Sequence, residues 1–121
     1  MQNTAPITIQ GASNGAGTTM PNTISMWENP RVYVSQMKFN SGGLTSGGIW
    51  AFDIGQLVVR DVSISNKPTM MTLNDVGAAH INNLSGTGNT SGLNLTRSNV
   101  FMTNYSGNAA THTRVASVLT T

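Results

Sequence analysis

The chain has 121 residues, the length of a single domain, and only 8% of them are charged, against about 25% in typical globular chains. Its formal charge of +2 comes from Arg31, Lys38, Arg60, Lys67, Arg97 and Arg114, scattered along the sequence against four acids. Nucleic-acid binding needs a concentrated basic patch and is not expected. Cysteine is absent, which removes a disulfide framework and thiolate metal sites, and no apolar run approaches the ~18 residues of a membrane helix.

Taken in chain order, the start "MQNTAPITIQG" has neither the basic nor the apolar region of a signal peptide. A protein built this way would leave a cell by another route, such as assembly into a particle released by lysis. "PITIQGASNGAGTTMPNT" (6–23) is expected to form a partial first turn, with Ile7 and Ile9 inward and a Gly-rich loop after them. "GASNGAG" (11–17) lacks the Lys and the following helix of a phosphate-binding loop and is expected to be a plain turn.

From Ile24 onward one pattern repeats. Ile24, Ile49, Met71 and Leu93 are anchors 25, 22 and 22 residues apart. Two residues after each stand Met26, Ala51, Leu73 and Leu95. At eight come Val32, Leu57, Ala79 and Phe101; at ten, Val34, Val59 and Ile81, with Met102 one place early. At thirteen come Met37, Val62 and Leu84, with Tyr105 again one early, so a one-residue deletion is expected near 96–99. The i, i+2 spacing is that of strands, and Thr, Val and Ile with interrupting Gly and Asn disfavour helix. Asn29-Pro30, Ile54-Gly55, Val76-Gly77 and Ser98-Asn99 are the expected corners. Last, "THTRVASVLTT" (111–121) offers a final strand through Val115, Val118 and Leu119.

A two-strand unit of about 22 residues that stacks on its neighbours is a β-solenoid turn. The expected fold is therefore all-β: a short parallel β-helix of four to five turns in one domain, residues 1–121. Within it, 1–23 form the partial first turn and loop, and 109–121 a terminal strand or oligomer contact. Over roughly 24–108 the chain resembles the right-handed parallel β-helices of pectate-lyase-like proteins and phage tailspikes. The resemblance rests on the period alone.

Aligned turns also align outward residues. Trp27 and Phe52 share one column with Asn74 and Thr96; Trp50 shares the next with Ser25, Thr72 and Asn94. Trp27, Trp50 and Phe52 thus form a candidate patch, read first as a subunit interface and second as a platform for stacking sugar rings. Glu28, Asp53 and Asp75 form a column with Arg97. Turns ~4.8 Å apart would bring two such acids near the ~5–5.5 Å of a retaining glycosidase pair. These are weak catalytic candidates, because corners recruit Asp as a turn former. The column of Gln36, Asp61, Asn83 and Asn104 is expected to form a hydrogen-bonded ladder. His80 and His112 stand alone, without metal-ligand spacing, and no cofactor or metal is expected. Four Asn-X-Ser/Thr matches, at Asn83, Asn89, Asn94 and Asn104, are expected by chance in so Asn-rich a chain.

The function expected is structural and adhesive: a part of a phage-like particle (tail fibre, spike or head decoration), located in the virion. It would assemble as a homo-oligomer, preferably a trimer, contact other virion proteins and touch host polysaccharide, without membrane insertion. The alternatives are a polysaccharide-degrading glycosidase or lyase on the same scaffold, or a piece of a secreted adhesin. An ice-binding solenoid would need a regular Thr array, which the mixed columns do not supply.

Overall fold

The computed structural model describes residues 7–10, 19–20, 24–40, 48–107, 112–115 and 117–121. The Gly-rich stretch 11–17, the loop 41–47 and the residues 1–6 fall outside this set. Ten strands follow one another: β1 Ile7–Gln10, β2 Thr19–Met20, β3 Ile24–Asn40, β4 Ile49–Ser65, β5 Thr69–Gly86, β6 Ser91–Thr96, β7 Asn99–Thr103, β8 Ser106–Gly107, β9 Thr113–Val115 and β10 Val118–Thr120. Among the described residues there is no helix.

Every pairing is parallel and joins one turn to the next. Ile24 pairs with Ile49, Ile49 with Met71 and Met71 with Leu93, so the anchors stack as the period requires. The fold is a parallel β-solenoid of about 4 turns with partial turns at either end.

Two columns of left-handed residues divide each long strand into three legs. Glu28, Asp53, Asp75 and Arg97 have φ of 52°, 53°, 54° and 47°; Gln36, Asp61, Asn83 and Asn104 have φ of 56°, 54°, 60° and 54°. The ladder between β3 and β4 skips these positions. Asp and Asn tolerate this backbone because their short polar side chains bond locally, whereas for other L-residues it is a strained conformation. In β3 the legs are 24–27, 29–35 and 37–40, and residues 66–68 and 87–90 close the third corner after β4 and β5.

The bend lies one residue earlier than the sequence implied, and this changes which side chains enter the core. Residues three and four after the anchor both face out, and the fifth faces in. Ile54 and Val76 are therefore core residues instead of corner residues, and Asn29 and Ser98 are buried in the same column. Ser98 Oγ accepts from Val76 N at 3.1 Å and donates to Thr96 O at 2.9 Å, so the polar end of that column is satisfied. Beside it, Gly55 and Gly77 let the turns touch. A Cβ on Gly55 would lie 2.5 Å from Pro30 O, and one on Gly77 2.7 Å from Gly55 O.

The core runs up the axis as stacked columns, including a third-leg column of Phe39 and Ile64. The one-residue deletion is real and lies just after Ser98, since Asn74 pairs with Thr96 and Val76 N donates to Ser98 Oγ, 22 residues on, but Ala79 pairs with Val100, 21 on. Phe101 accordingly leaves the core column to which its spacing assigned it. Val100 takes that place, and Phe101 pairs with His80 and is 46% exposed.

The C-terminal segment adds an incomplete turn. β9 pairs with β6, and β10 with β7. Of its three apolar candidates only Leu119 packs on the core; Val115 and Val118 stay exposed. Its inward positions carry His112, Arg114 and Ser117. Arg114 lies over Leu95, His112 Nδ1 accepts from Leu93 N at 3.1 Å, and Ser117 Oγ accepts from Ser98 N at 3.0 Å. A polar last turn covers the open end of the core, as terminal repeats of stacked proteins do.

Candidate functional site

The first leg faces solvent through two columns. Ser25, Trp50, Thr72 and Asn94 form one, and Trp27, Phe52, Asn74 and Thr96 the other, in the register read from the sequence. Trp27, Trp50 and Phe52 are 43%, 46% and 39% exposed. Trp50 and Phe52 meet edge to face with centroids 5.2 Å apart, a favoured geometry for aromatic pairs. Together with Ser25, Met26, Glu28 and Asp53 these rings line an open groove of about 550 Å³. Its walls are apolar faces and its rim carries two carboxylates. Further along the axis the same columns turn to Asn and Thr, so the apolar patch is confined to the first two turns.

The carboxylate column sits where the sequence placed it, and its backbone explains why it is there. Glu28, Asp53 and Asp75 occupy the left-handed corner. Asp75 accepts a two-bond fork from Arg97, Nε to Oδ1 at 2.6 Å and Nη2 to Oδ2 at 2.8 Å. Those hydrogen bonds, with the guanidinium charge behind them, hold the Asp75 carboxyl below its ordinary range and raise Arg97. A general acid needs the opposite, a carboxyl kept protonated by burial or a like charge. In the second corner column Asn83 Nδ2 donates to Asp61 Oδ1 at 2.8 Å, a rung of the expected ladder.

A second outward stripe lies on the middle leg and was missed in the sequence. Thr8, Tyr33, Val58, His80 and Phe101 stack there, beside Gln10, Ser35, Arg60, Asn82 and Thr103. The His80 and Phe101 rings are nearly parallel, 15° apart, with centroids at 5.3 Å. Asn82 Nδ2 donates to Thr103 Oγ1 at 2.9 Å. The signal was present: Tyr33, Val58, His80 and Phe101 share a column once the deletion is placed before Phe101.

His112 is not isolated. It lies against Tyr105, centroids 5.2 Å apart, and burial lowers its pKa. Among the described residues no three His, Asp or Glu side chains gather as a metal site. At the third corner Asn89 Nδ2 donates to Ile64 O at 2.7 Å and Asn89 Oδ1 accepts from Lys67 N at 3.0 Å. Lys67 is covered, and burial lowers its pKa.

No family profile, no curated protein and no solved structure matches the chain. Any function must be argued from the faces themselves.

Proposed function

We propose that this chain is a structural and adhesive module of a phage-like particle, a tail-fibre, spike or head-decoration element that works as a homo-oligomer, preferably a trimer. The observation that carries the proposal is the cluster of Trp27, Trp50 and Phe52, three exposed rings on one face of adjacent turns. An apolar patch of this kind, on a surface rich in Asn, Ser and Thr, is what association surfaces display. Low charge and an uncharged polar exterior suit a particle component, and the tailspike resemblance points the same way. A host polysaccharide is the second partner, touched through ring stacking.

The enzymatic alternative would rest on Glu28, Asp53 and Asp75. The fork from Arg97 favours the ionised form of Asp75, so the chain alone is expected to leave polysaccharides uncut. Incubation with candidate host polysaccharides should give no new reducing ends or unsaturated products. Turnover that vanishes in Glu28→Gln or Asp53→Asn would replace the structural role by a catalytic one.

The primary test is sedimentation of the purified chain at micromolar concentration. A small multiple of 12.7 kDa is expected, falling to the monomer in Trp27→Ser/Trp50→Ser. A native chain that sediments as a stable monomer overturns the proposal.

A further inference from the structure

The two outward faces differ in charge as well as in shape. Asp53 stands at the rim of the first-leg groove, beside Trp50 and Phe52. Arg60 stands on the middle leg between two adjoining grooves, of about 380 Å³ and 270 Å³. Tyr33 and Val58 line one of these, and His80 and Phe101 the other. Both charges are exposed, and the ion pair formed among the described residues joins Arg97 to Asp75, leaving Asp53 and Arg60 unpaired. Both also belong to the second turn, so they lie at the same height on the coil.

Size separates two ways of assembling. The first leg is four residues wide and five strands tall, a flat area of about 300 Å² at ~3.3 Å per residue and ~4.8 Å per strand. The middle leg is seven residues wide in β3, β4 and β5 and narrows to three to five in β1, β7 and β10, about 500 Å² on the same measure. A stable interface covers about 800 Å² on each partner. First-leg faces meeting each other alone fall well short of that. A contact of first leg on middle leg is limited by the smaller face to about 300 Å² on each partner, but in a closed ring every chain makes two such contacts, about 600 Å² per chain.

We infer that the chain associates head to tail around a ring, the first-leg face of one copy on the middle-leg face of the next. This rests on the self-association proposed above and names its two surfaces. Trp50 and Phe52 pack against the Tyr33–Val58–His80–Phe101 stripe, and Asp53 of one copy meets Arg60 of its neighbour. Because both charges stand on the same turn, the pair sets neighbouring coils side by side with no axial offset. A head-to-tail contact without axial offset closes into a ring when its rotation divides a full turn, where an offset would propagate a filament.

The absence of cysteine makes the test direct. Thr72→Cys places one thiol on the first leg and Asn82→Cys one on the middle leg, both on the third turn. Under mild oxidation, each variant alone should stay uncrosslinked and their mixture should give a disulfide-linked pair. Self-crosslinking of Thr72→Cys alone, or an oligomer whose mixed variants do not crosslink, overturns the head-to-tail arrangement and leaves self-association standing. A monomeric native chain overturns both. A second readout does not depend on thiols. Arg60→Glu should weaken association by about tenfold or more. Asp53→Arg in the same chain should restore it, since Arg97 shows that this corner accepts arginine. Unchanged association of Arg60→Glu also overturns the inference.

Discussion

The second turn and the last one follow the same path and fill it differently. In the second turn Ile49, Ala51, Ile54, Leu57, Val59, Val62 and Ile64 all point inward and are fully covered. In the last turn the equivalent positions carry His112, Arg114, Ser117 and Leu119. One column shows the gradient by itself: Asn29, Ile54, Val76, Ser98 and Ser117 run polar, apolar, apolar, polar, polar along the axis. A stacked core is one-dimensional. An inner turn is covered on two sides and a terminal turn on one, so apolar residues gain most in the middle and polar ones cost least at the ends.

The strongest way to break the inner turns is Gly86→Ala. A Cβ there would overlap the Ile64 carbonyl oxygen of the turn below, with backbone that cannot step aside. A loss of more than about 4 kcal/mol is expected, read as the disappearance of a cooperative urea transition followed by circular dichroism. The contrast itself is sharpened by truncating one residue in each region. Leu57→Ala should cost about 3 kcal/mol, as buried leucines do, and Leu119→Ala less than about 1 kcal/mol, both from urea midpoints. Equal costs would mean that the core does not thin toward the end.

A third outcome concerns acid. His112 must be neutral for Nδ1 to accept from Leu93 N. Burial lowers its pKa below the ordinary 6.5. The stability it contributes is therefore complete above pH 6.5 and is lost as the pH falls through the lowered value. Exchange of the Leu93 amide should rise in that window while the Leu57 amide stays protected. In His112→Gln, which keeps an acceptor without titrating there, the rise should vanish. The smallest effect is expected at the corner. Arg97→Asn loses the fork to Asp75 but places a residue suited to φ of 47°. Both groups are exposed and screened by water, so the two changes should offset one another and leave the urea midpoint unmoved.

Much of this molecule was legible because its anchors recur without slippage. Ile49, Met71 and Leu93 pair as their 22-residue spacing implied, and the first-leg columns with Trp27, Trp50 and Phe52 follow from counting one and three residues on. Counting failed at the bend itself, although Val32, Leu57 and Ala79 beyond it stack in the core as their spacing implied. A residue at positive φ rotates the chain so that two neighbours both face out, and alternation restarts out of phase. That hid Ile54 and Val76 as core. The deletion at 98–99 shifted Phe101 by one place, which in a strand exchanges the inner face for the outer. The middle-leg stripe could be read between the inward pairs Val32 and Val34, Leu57 and Val59, and Ala79 and Ile81, and only Phe101 was hidden by the deletion. The polar last turn was obscure for another reason: His112 and Ser117 look like surface residues until the column beneath them is known.

The parallel ladder also gives the coil a direction-dependent strength. All the bonds between turns point along its axis, so a load applied evenly to the two ends is shared by all three legs at once. A pull on one chain terminus instead loads a single strand at a time. The coil then pays out like thread from a spool, releasing about 75 Å of chain for each 22-residue turn. A coil built this way holds against a load spread along its axis, and it yields by unwinding from a seized end.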